Sequence, residues 1–330
     1  MVSRELHIGA VVIGRNEGRR LITCLDSLLN RVGQIVYVDS GSSDNSLQEA
    51  RARGVECISL DLSIPFTAAR ARNEGAALLI QKYSGIKYIQ FIDGDCEVQP
   101  QWVYKAKCFL EDNVQYAVVC GRRRERYPEN SIYNQLCEIE WNTPVGDALA
   151  CGGDALIRVD AFNQVEGYRD DLIAGEEPEM CFRLRKQGWG IFRLDEEMTL
   201  HDAAITHFSQ WWNRAKRAGY AYASSRALHG KSIEKFKVKE VRSIVAWGAC
   251  FPILVVFLSF FHHVFLLLLC LYPMQILRLF VKCKPLNKSV GVRFSYVSSI
   301  LIAKFPQLIG LVQFVIDQYK GRAAQIIEYK

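Results

Sequence analysis

Asp93 and Asp95 flank Gly94 directly after an apolar run, Tyr88-Ile89-Gln90-Phe91-Ile92. Two carboxylates spaced by one residue at the end of a strand can reach one cation. Hard oxygen ligands suit Mg2+ or Mn2+, ions that keep waters and take phosphate oxygens in the rest of their shell. One reading is therefore a nucleoside diphosphate held through a metal, and the other is a solvated turn that closes the strand. Two more polar clusters follow apolar runs earlier in the chain: Arg15, Asn16 and Glu17, then Asp39, Ser40 and Asp44. No GxGxxG opens a helix after these runs and no GxxxxGK[ST] is present, which argues against dinucleotide and P-loop sites.

The elements that must position these residues alternate. Residues 6–13 read as a buried strand, 19–29 as a helix with Leu21, Ile22, Leu25, Leu28 and Leu29 on one stripe, and 34–39 as a second strand. Helix 46–53, strand 55–60, helix 67–82 and strand 88–92 continue the series. Such alternation predicts a mostly parallel α/β sheet with helices on both faces, whose ligands sit beyond the carboxyl ends of the strands. Beyond residue 101 the pattern predicts a strand at 116–120, an Arg-rich turn, a helix at 133–141, a strand within CGGDALIRVDAF, and a helix beginning near Pro178. Glu176 and Glu177 ahead of that proline suit a helix N-terminus, where free N–H groups favour negative charge.

With 330 residues, half of them hydrophobic, the chain can bury a full core, and disorder is excluded as a global description. Its net charge of +6 is regional, because after residue 205 the acids thin out to Glu234, Glu240, Asp317 and Glu328. Eleven cysteines without CxxC spacing read as reduced thiols in a cytosolic compartment. The first eighteen residues lack a signal-peptide apolar core, so the domain is expected to stay on the side where it is made.

Residues 243–277 contain no Asp, Glu, Lys or Arg. As one helix they would run about 52 Å against a hydrocarbon core of about 30 Å, so a hairpin over about 243–281, turning at His262-His263, fits better. Lys231, Lys235, Lys237, Lys239 and Arg242 precede it and Lys282, Lys284, Lys288 and Arg293 follow, which puts both ends in the cytosol. A soluble buried helical pair is the competing reading, disfavoured by the uniformly apolar run. The stretch at about 296–317, with Lys304 and Pro306 inside it, is expected as an interfacial helix.

Taken in order, VVIGRNEGRRLITCLDSL, IVYVDSGSSDNSLQEA, ARNEGAALL, IQFIDGDCEV, CGGDALIRVDAF and AGEEPEMCFRLRKQGW resemble the family 2 glycosyltransferases, over about residues 6–215. The resemblance implies a GT-A fold, a Rossmann-like mixed sheet, at residues 1–230, and the apolar runs make 231–330 a C-terminal region of membrane-associated helices. It implies a UDP- or GDP-linked nucleotide-sugar donor, Mn2+ or Mg2+, and inverting transfer to a lipid-linked or saccharide acceptor, with no nucleic acid involved. The setting it implies is cell-surface polysaccharide or glycolipid assembly, and the flanking lysines and arginines place this at the cytoplasmic membrane with the catalytic domain facing the cytosol.

By the same resemblance Asp39 contacts the base, Arg72 and Asn73 lie near the nucleotide, and Asp93 and Asp95 form the DxD motif, Asp95 on the metal and Asp93 nearer the ribose. The family's Glu-Asp motif falls on Glu176-Glu177, so the general base is Glu177, about 1.5 Å longer than aspartate. Glu176 and Glu179 stay as alternates. His201 and His207 are candidates for a third metal ligand, or ordinary loop histidines. The family's Q-x-x-R-W element has an altered order here, with Gln210, Trp211 and Arg214 as candidates for acceptor or diphosphate contacts, beside Trp212 and Arg217. Cys96 reads as a small buried neighbour. Competing functions are a catalytically inactive scaffold of the same fold and a nucleotidyltransferase.

Overall fold

Continuous apolar runs, which suit strands covered on both faces, supply the middle of the sheet. The computed structural model describes residues 5–283, 288–322 and 326–328, so Lys284 and the first four residues lie outside the described part. Its strands are β1 (Glu5–Gly14), β2 (Val32–Asp39), β3 (Glu56–Ser59), β4 (Tyr88–Asp93), β5 (Cys96–Val98), β6 (Tyr116–Glu125), β7 (Gly146–Asp147), β8 (Ala155–Arg158) and β9 (Gly190–His201). Its α-helices are α1 (Arg19–Leu28), α2 (Ser46–Ala52), α3 (Ala68–Lys82), α4 (Trp102–Asp112), α5 (Ile132–Glu140), α6 (Val159–Gln164), α7 (Glu176–Lys186), α8 (Phe208–His229), α9 (Val238–Val245), α10 (Phe251–Ser259), α11 (Leu271–Lys282), α12 (Val290–Ile302) and α13 (Lys304–Tyr319).

The chain divides into two compact units, residues 1–126 with 141–203, and residues 127–140 with 204–330. The first holds the sheet, in the order β3-β2-β1-β4-β8-β6-β9-β5, with β7 against β9. Pairings of β1 with β2 and β4, of β2 with β3, and of β6 with β9 are parallel, while β8 runs antiparallel between β4 and β6. The sheet is therefore mixed. In register, Gly14 lies opposite Asp39 and Ile13 opposite Asp93, so the polar clusters that follow β1, β2 and β4 share one edge.

Two local expectations are corrected. Arg122, Arg123 and Arg124 are not a turn, because β6 continues to Glu125 and pairs with β9 across register shifts at Cys120/Arg122 and Arg122/Arg123. Those irregularities re-aim successive side chains, as bulges do. The helix expected from Pro178 begins two residues earlier, after Gly175 in the left-handed conformation at φ 81°, so Glu176 and Glu177 sit within its first turn.

The second unit is helical. α8 crosses α13 closely because each presents a glycine at the contact. A Cβ on Gly219 would overlap the carbonyl of Gln307, and one on Gly310 the carbonyl of Lys216. Three helical runs, Val238–Ser259, His263–Lys282 and Val290–Tyr319, are long and apolar enough to cross a membrane by length and composition. The first contains a π-helical turn at Ala246–Cys250, where Gly248 lies against the Lys304 carbonyl. Large apolar side chains point outward from these runs, among them Val256, Phe257, Leu267 and Met274. An exposed apolar surface of that kind marks an interaction surface.

Candidate active site

Arg72 is the hub of the first unit's polar edge. α3 carries it, and the Thr67 hydroxyl caps that helix by accepting from the Arg70 N–H at 3.0 Å. The guanidinium is 2% exposed. Its Nη2 donates to Asp93 at 2.8 Å, its Nη1 to Glu176 at 2.8 Å, and Glu177 stands 3.5 Å away. The Tyr168 ring lies 5.6 Å from its centre. Burial disfavours the charge, but Asp93, Glu177 and Glu176 outweigh it and hold the guanidinium firmly protonated. Gly153 makes room for this, since a Cβ there would come within 2.7 Å of Arg72 Nη2 and 2.8 Å of Asp93 Oδ2.

The two aspartates of the opening motif face different partners. Asp93 turns to Arg72 and lies 3.6 Å from Arg123, and its backbone N–H donates to Asp154 at 3.2 Å. Burial alone would raise its carboxyl, yet Arg72 and Arg123 together hold it below the usual range. Asp95 instead meets His201 Nε2 at 3.1 Å. That contact follows from the register, which sets Cys96 on β5 opposite His201 on β9. The imidazole stacks on Trp141 at 4.7 Å, and its Nδ1 is buried with no hydrogen-bond partner among the described residues.

Asp95, Cys96 and His201 lie close enough to share an ion, as do Asp93, Cys96 and Asp154. Burial and Asp154 push the Cys96 thiol well up, so it stays protonated and is the poorest donor of the group. Asp93, Asp95, Asp154, Glu176 and Glu177 gather around two guanidiniums, Arg72 and Arg123, and one imidazole. The surplus of negative charge and the Asp95–His201 pair fit a divalent cation. The imidazole favours Mn2+ over Mg2+, which prefers oxygen.

Glu177 carries the consequence of that surplus. Burial, then the adjacent Glu176, raises its carboxyl from 4.5 to about 7, against the opposing pull of Arg72. Glu176 is bound to Arg72, and Glu179 is fully buried and held by Arg183 at 2.7 Å, leaving Glu177 the most accessible of the three.

Other predicted residues are engaged locally. Asp39 accepts from the N–H groups of Gly41 and Ser42 at 3.0 and 2.9 Å and from the hydroxyls of Tyr37 and Ser42, which fixes the turn after β2. Asn73 donates to the Tyr168 carbonyl at 2.7 Å and to Asp170 at 2.6 Å, and accepts from the Tyr168 N–H at 2.9 Å. In the second unit Gln210 caps α8 by accepting from Thr206 and His207 N–H groups at 2.8 and 3.0 Å. Trp211 is buried against Tyr133, Arg214 pairs with Glu140 at 2.7 Å, and His207 is the N-cap of α8.

Sequence reasoning missed Arg123 and Asp154, which pair at 2.8 Å, with Thr199 donating to Asp154 at 2.7 Å. Asp154 lay inside a segment read only as a strand boundary, and Arg123 inside the supposed turn. The signal for Asp154 was its isolation, a single carboxylate entering an apolar strand.

Residues 10–164 match the family model Glycosyl transferase family 2. No curated protein matches the chain. Among solved structures, the mannosyltransferase PcManGT from Pyrobaculum calidifontis, in complex with GDP-Man and Mn2+, is similar with a TM-score of 0.56 at 13% identity, over 95% of this chain and 88% of that one. GalNAc-T7 with UDP, GalNAc and Mn2+ gives 0.49 at 17% identity, over 72% of this chain and 55% of that one. Residues 1–349 of S. aureus TarS give 0.47 at 13%, over 96% and 92%. The first of these likenesses shows the GT-A fold, and with the family match it identifies residues 10–164 as a glycosyl transferase family 2 domain and the chain as a glycosyltransferase.

Proposed function

We propose that the chain transfers a sugar, with inversion, from a UDP- or GDP-linked donor to a hydroxyl of a lipid-linked or saccharide acceptor. The observation that carries this reading is the single cluster in which Arg72 joins Asp93, Glu176 and Glu177, beside Asp95 and His201. A mannosyltransferase of the same fold holds GDP-Man and Mn2+, which supports a nucleotide sugar and a metal here. Asp95 and His201 would hold Mn2+ or Mg2+, with Asp93 completing the DxD motif on the ribose side. When bound, such an ion neutralises charge on a departing diphosphate.

The chain's own residues supply the rest. Glu177, raised to about 7, takes the proton from the acceptor hydroxyl, and a single base suits the single displacement that inverts the anomeric carbon. Arg72 orients Glu176 and Glu177 against Asp93. Asp39 shapes the turn that would receive the base, and Asn73 holds the loop at Tyr168 beneath Arg72. Gln210 and Trp211 we assign to the cap and core of α8 rather than to acceptor contacts. Arg214 and the exposed face of α8 stay as the surface that could meet a diphosphate or lipid phosphate.

We place the catalytic domain at 1–230 and the membrane-associated region at 231–330, in cell-surface polysaccharide or glycolipid assembly. The three apolar runs support membrane association, and the flanking lysines and arginines support a cytosolic catalytic face. The test is a panel of nucleotide sugars titrated into the purified chain with Mn2+ and with chelator. Binding or slow hydrolysis of one donor, lost with chelator and in Asp95→Ala, is expected. Indifference to every nucleotide sugar would instead mark a scaffold.

A further inference from the structure

The loop between α8 and α9 and the helices beside it enclose a groove of about 680 Å³ within the second unit. Its rim carries Arg226, Lys231, Lys235 and Arg242, and its floor is apolar, with Val241, Val245, Leu311 and Phe314. No acidic residue lines it. Glu240 is taken by Lys237 at 3.4 Å, and Glu234 belongs to the loop but not to the lining. Among the described residues the four rim cations have no ion-pair partner, although acids elsewhere in the chain are widely paired. The Ser232 hydroxyl, which also lines the groove, is buried with no hydrogen-bond partner among the described residues. The lining thus combines unneutralised positive charge with apolar side chains and an unused buried donor, where the first apolar run begins at Val238.

We infer that this groove holds one anionic phospholipid of the bilayer, its phosphate on Arg226, Lys231, Lys235, Arg242 and Ser232 and its acyl chain along Val241, Val245, Leu311 and Phe314. Charge complementarity and the position at the start of the run argue for it. A basic cluster at a membrane boundary attracts anionic headgroups, and the apolar floor adds a contact that a free anion cannot make. The inference rests on the reading of this unit as membrane-associated.

The test is native mass spectrometry of the detergent-purified full chain, with phosphatidylglycerol, phosphatidylcholine, glycerol phosphate or inorganic phosphate added. One retained phosphatidylglycerol per chain, with phosphatidylcholine excluded, is expected. The pair Arg226→Ala and Lys235→Ala weakens retention by about thirtyfold, from roughly fivefold for each cation near the surface. The control pair Lys239→Ala and Lys288→Ala, exposed and outside the groove, changes it by less than about twofold, and circular dichroism checks that both variants fold.

Equal binding of the two lipids, an equal loss in the control pair, or displacement by glycerol phosphate or inorganic phosphate would each overturn the site. Co-sedimentation with vesicles separates this from the wider reading. A chain that binds no vesicle refutes membrane association itself, whereas one that binds vesicles without a retained anionic lipid refutes only the groove.

Discussion

Replacing Glu177 by glutamine tests the chemistry most directly. Burial and Glu176 carry its carboxyl from 4.5 to about 7. At about 1.4 kcal/mol per tenfold change in acidity, that difference is worth about 3 kcal/mol. The folded chain favours the protonated form, so this contribution is fully present below 4.5 and is lost as pH rises through about 7. Glu177→Gln should therefore match the parent near about pH 4 and exceed its stability by up to about 3 kcal/mol near about pH 8, the pull of Arg72 being already contained in that figure.

Activity must move the other way. In the parent, kcat/KM rises with pH along the limb on which Glu177 ionises, and Glu177→Gln removes that limb and lowers kcat by about 10²–10⁴ with donor affinity unchanged. Glu177→Asp, which restores a carboxylate one methylene shorter, recovers part of the rate. The assay is donor turnover across pH beside urea melts at the two extremes. A flat parent profile, or a glutamine variant within tenfold of the parent, refutes Glu177 as the base. Loss in Glu176→Gln alone moves the role to Glu176.

Arg72→Met leaves Asp93, Glu176 and Glu177 without their shared guanidinium and should cost about 3–5 kcal/mol in a denaturant melt. Arg72→Lys should recover little of it, because an ammonium lacks the planar fork that spans two carboxylates. His201→Ala should raise the Mn2+ concentration needed for half-maximal activity by about tenfold or more and narrow the preference for Mn2+ over Mg2+, read by metal titration. Gly310→Leu would overlap the Lys216 carbonyl and force α8 from α13, costing about 1–3 kcal/mol, while Gly291→Leu, with open space around its Cβ, should melt as the parent does.

The half of the sheet built by strand-helix alternation was legible because each run there is locally apolar and locally bounded. β1, β2 and β4 are covered on both faces, so their position in the sheet is written in their own residues. β9 was not legible. Its burial alternates irregularly, and its pairings are with strands distant in sequence. The same distinction separates the site residues. Asp93 and Asp95 sit at a strand end that local pattern exposes, whereas Arg123 meets Asp154 from a stretch of β6 whose pairing with β9 shifts register. His201 stood between two roles in the sequence, and only the β5–β9 register brings it against Asp95.

The charges also constrain the order of binding. Arg72 and Arg123 are already committed to carboxylates, so neither is free to receive a diphosphate without surrendering a partner. A donor that brings two or more negative charges to five carboxylates meets net repulsion, strengthened by the low dielectric of the buried edge. A divalent cation on Asp95 and His201 would offset much of that charge locally and leave the Arg72 pairs intact. Donor affinity should accordingly depend on the cation far more steeply than cation affinity depends on any single guanidinium. The same neutralisation would favour the ionised form of Glu177, so that cation binding prepares the base.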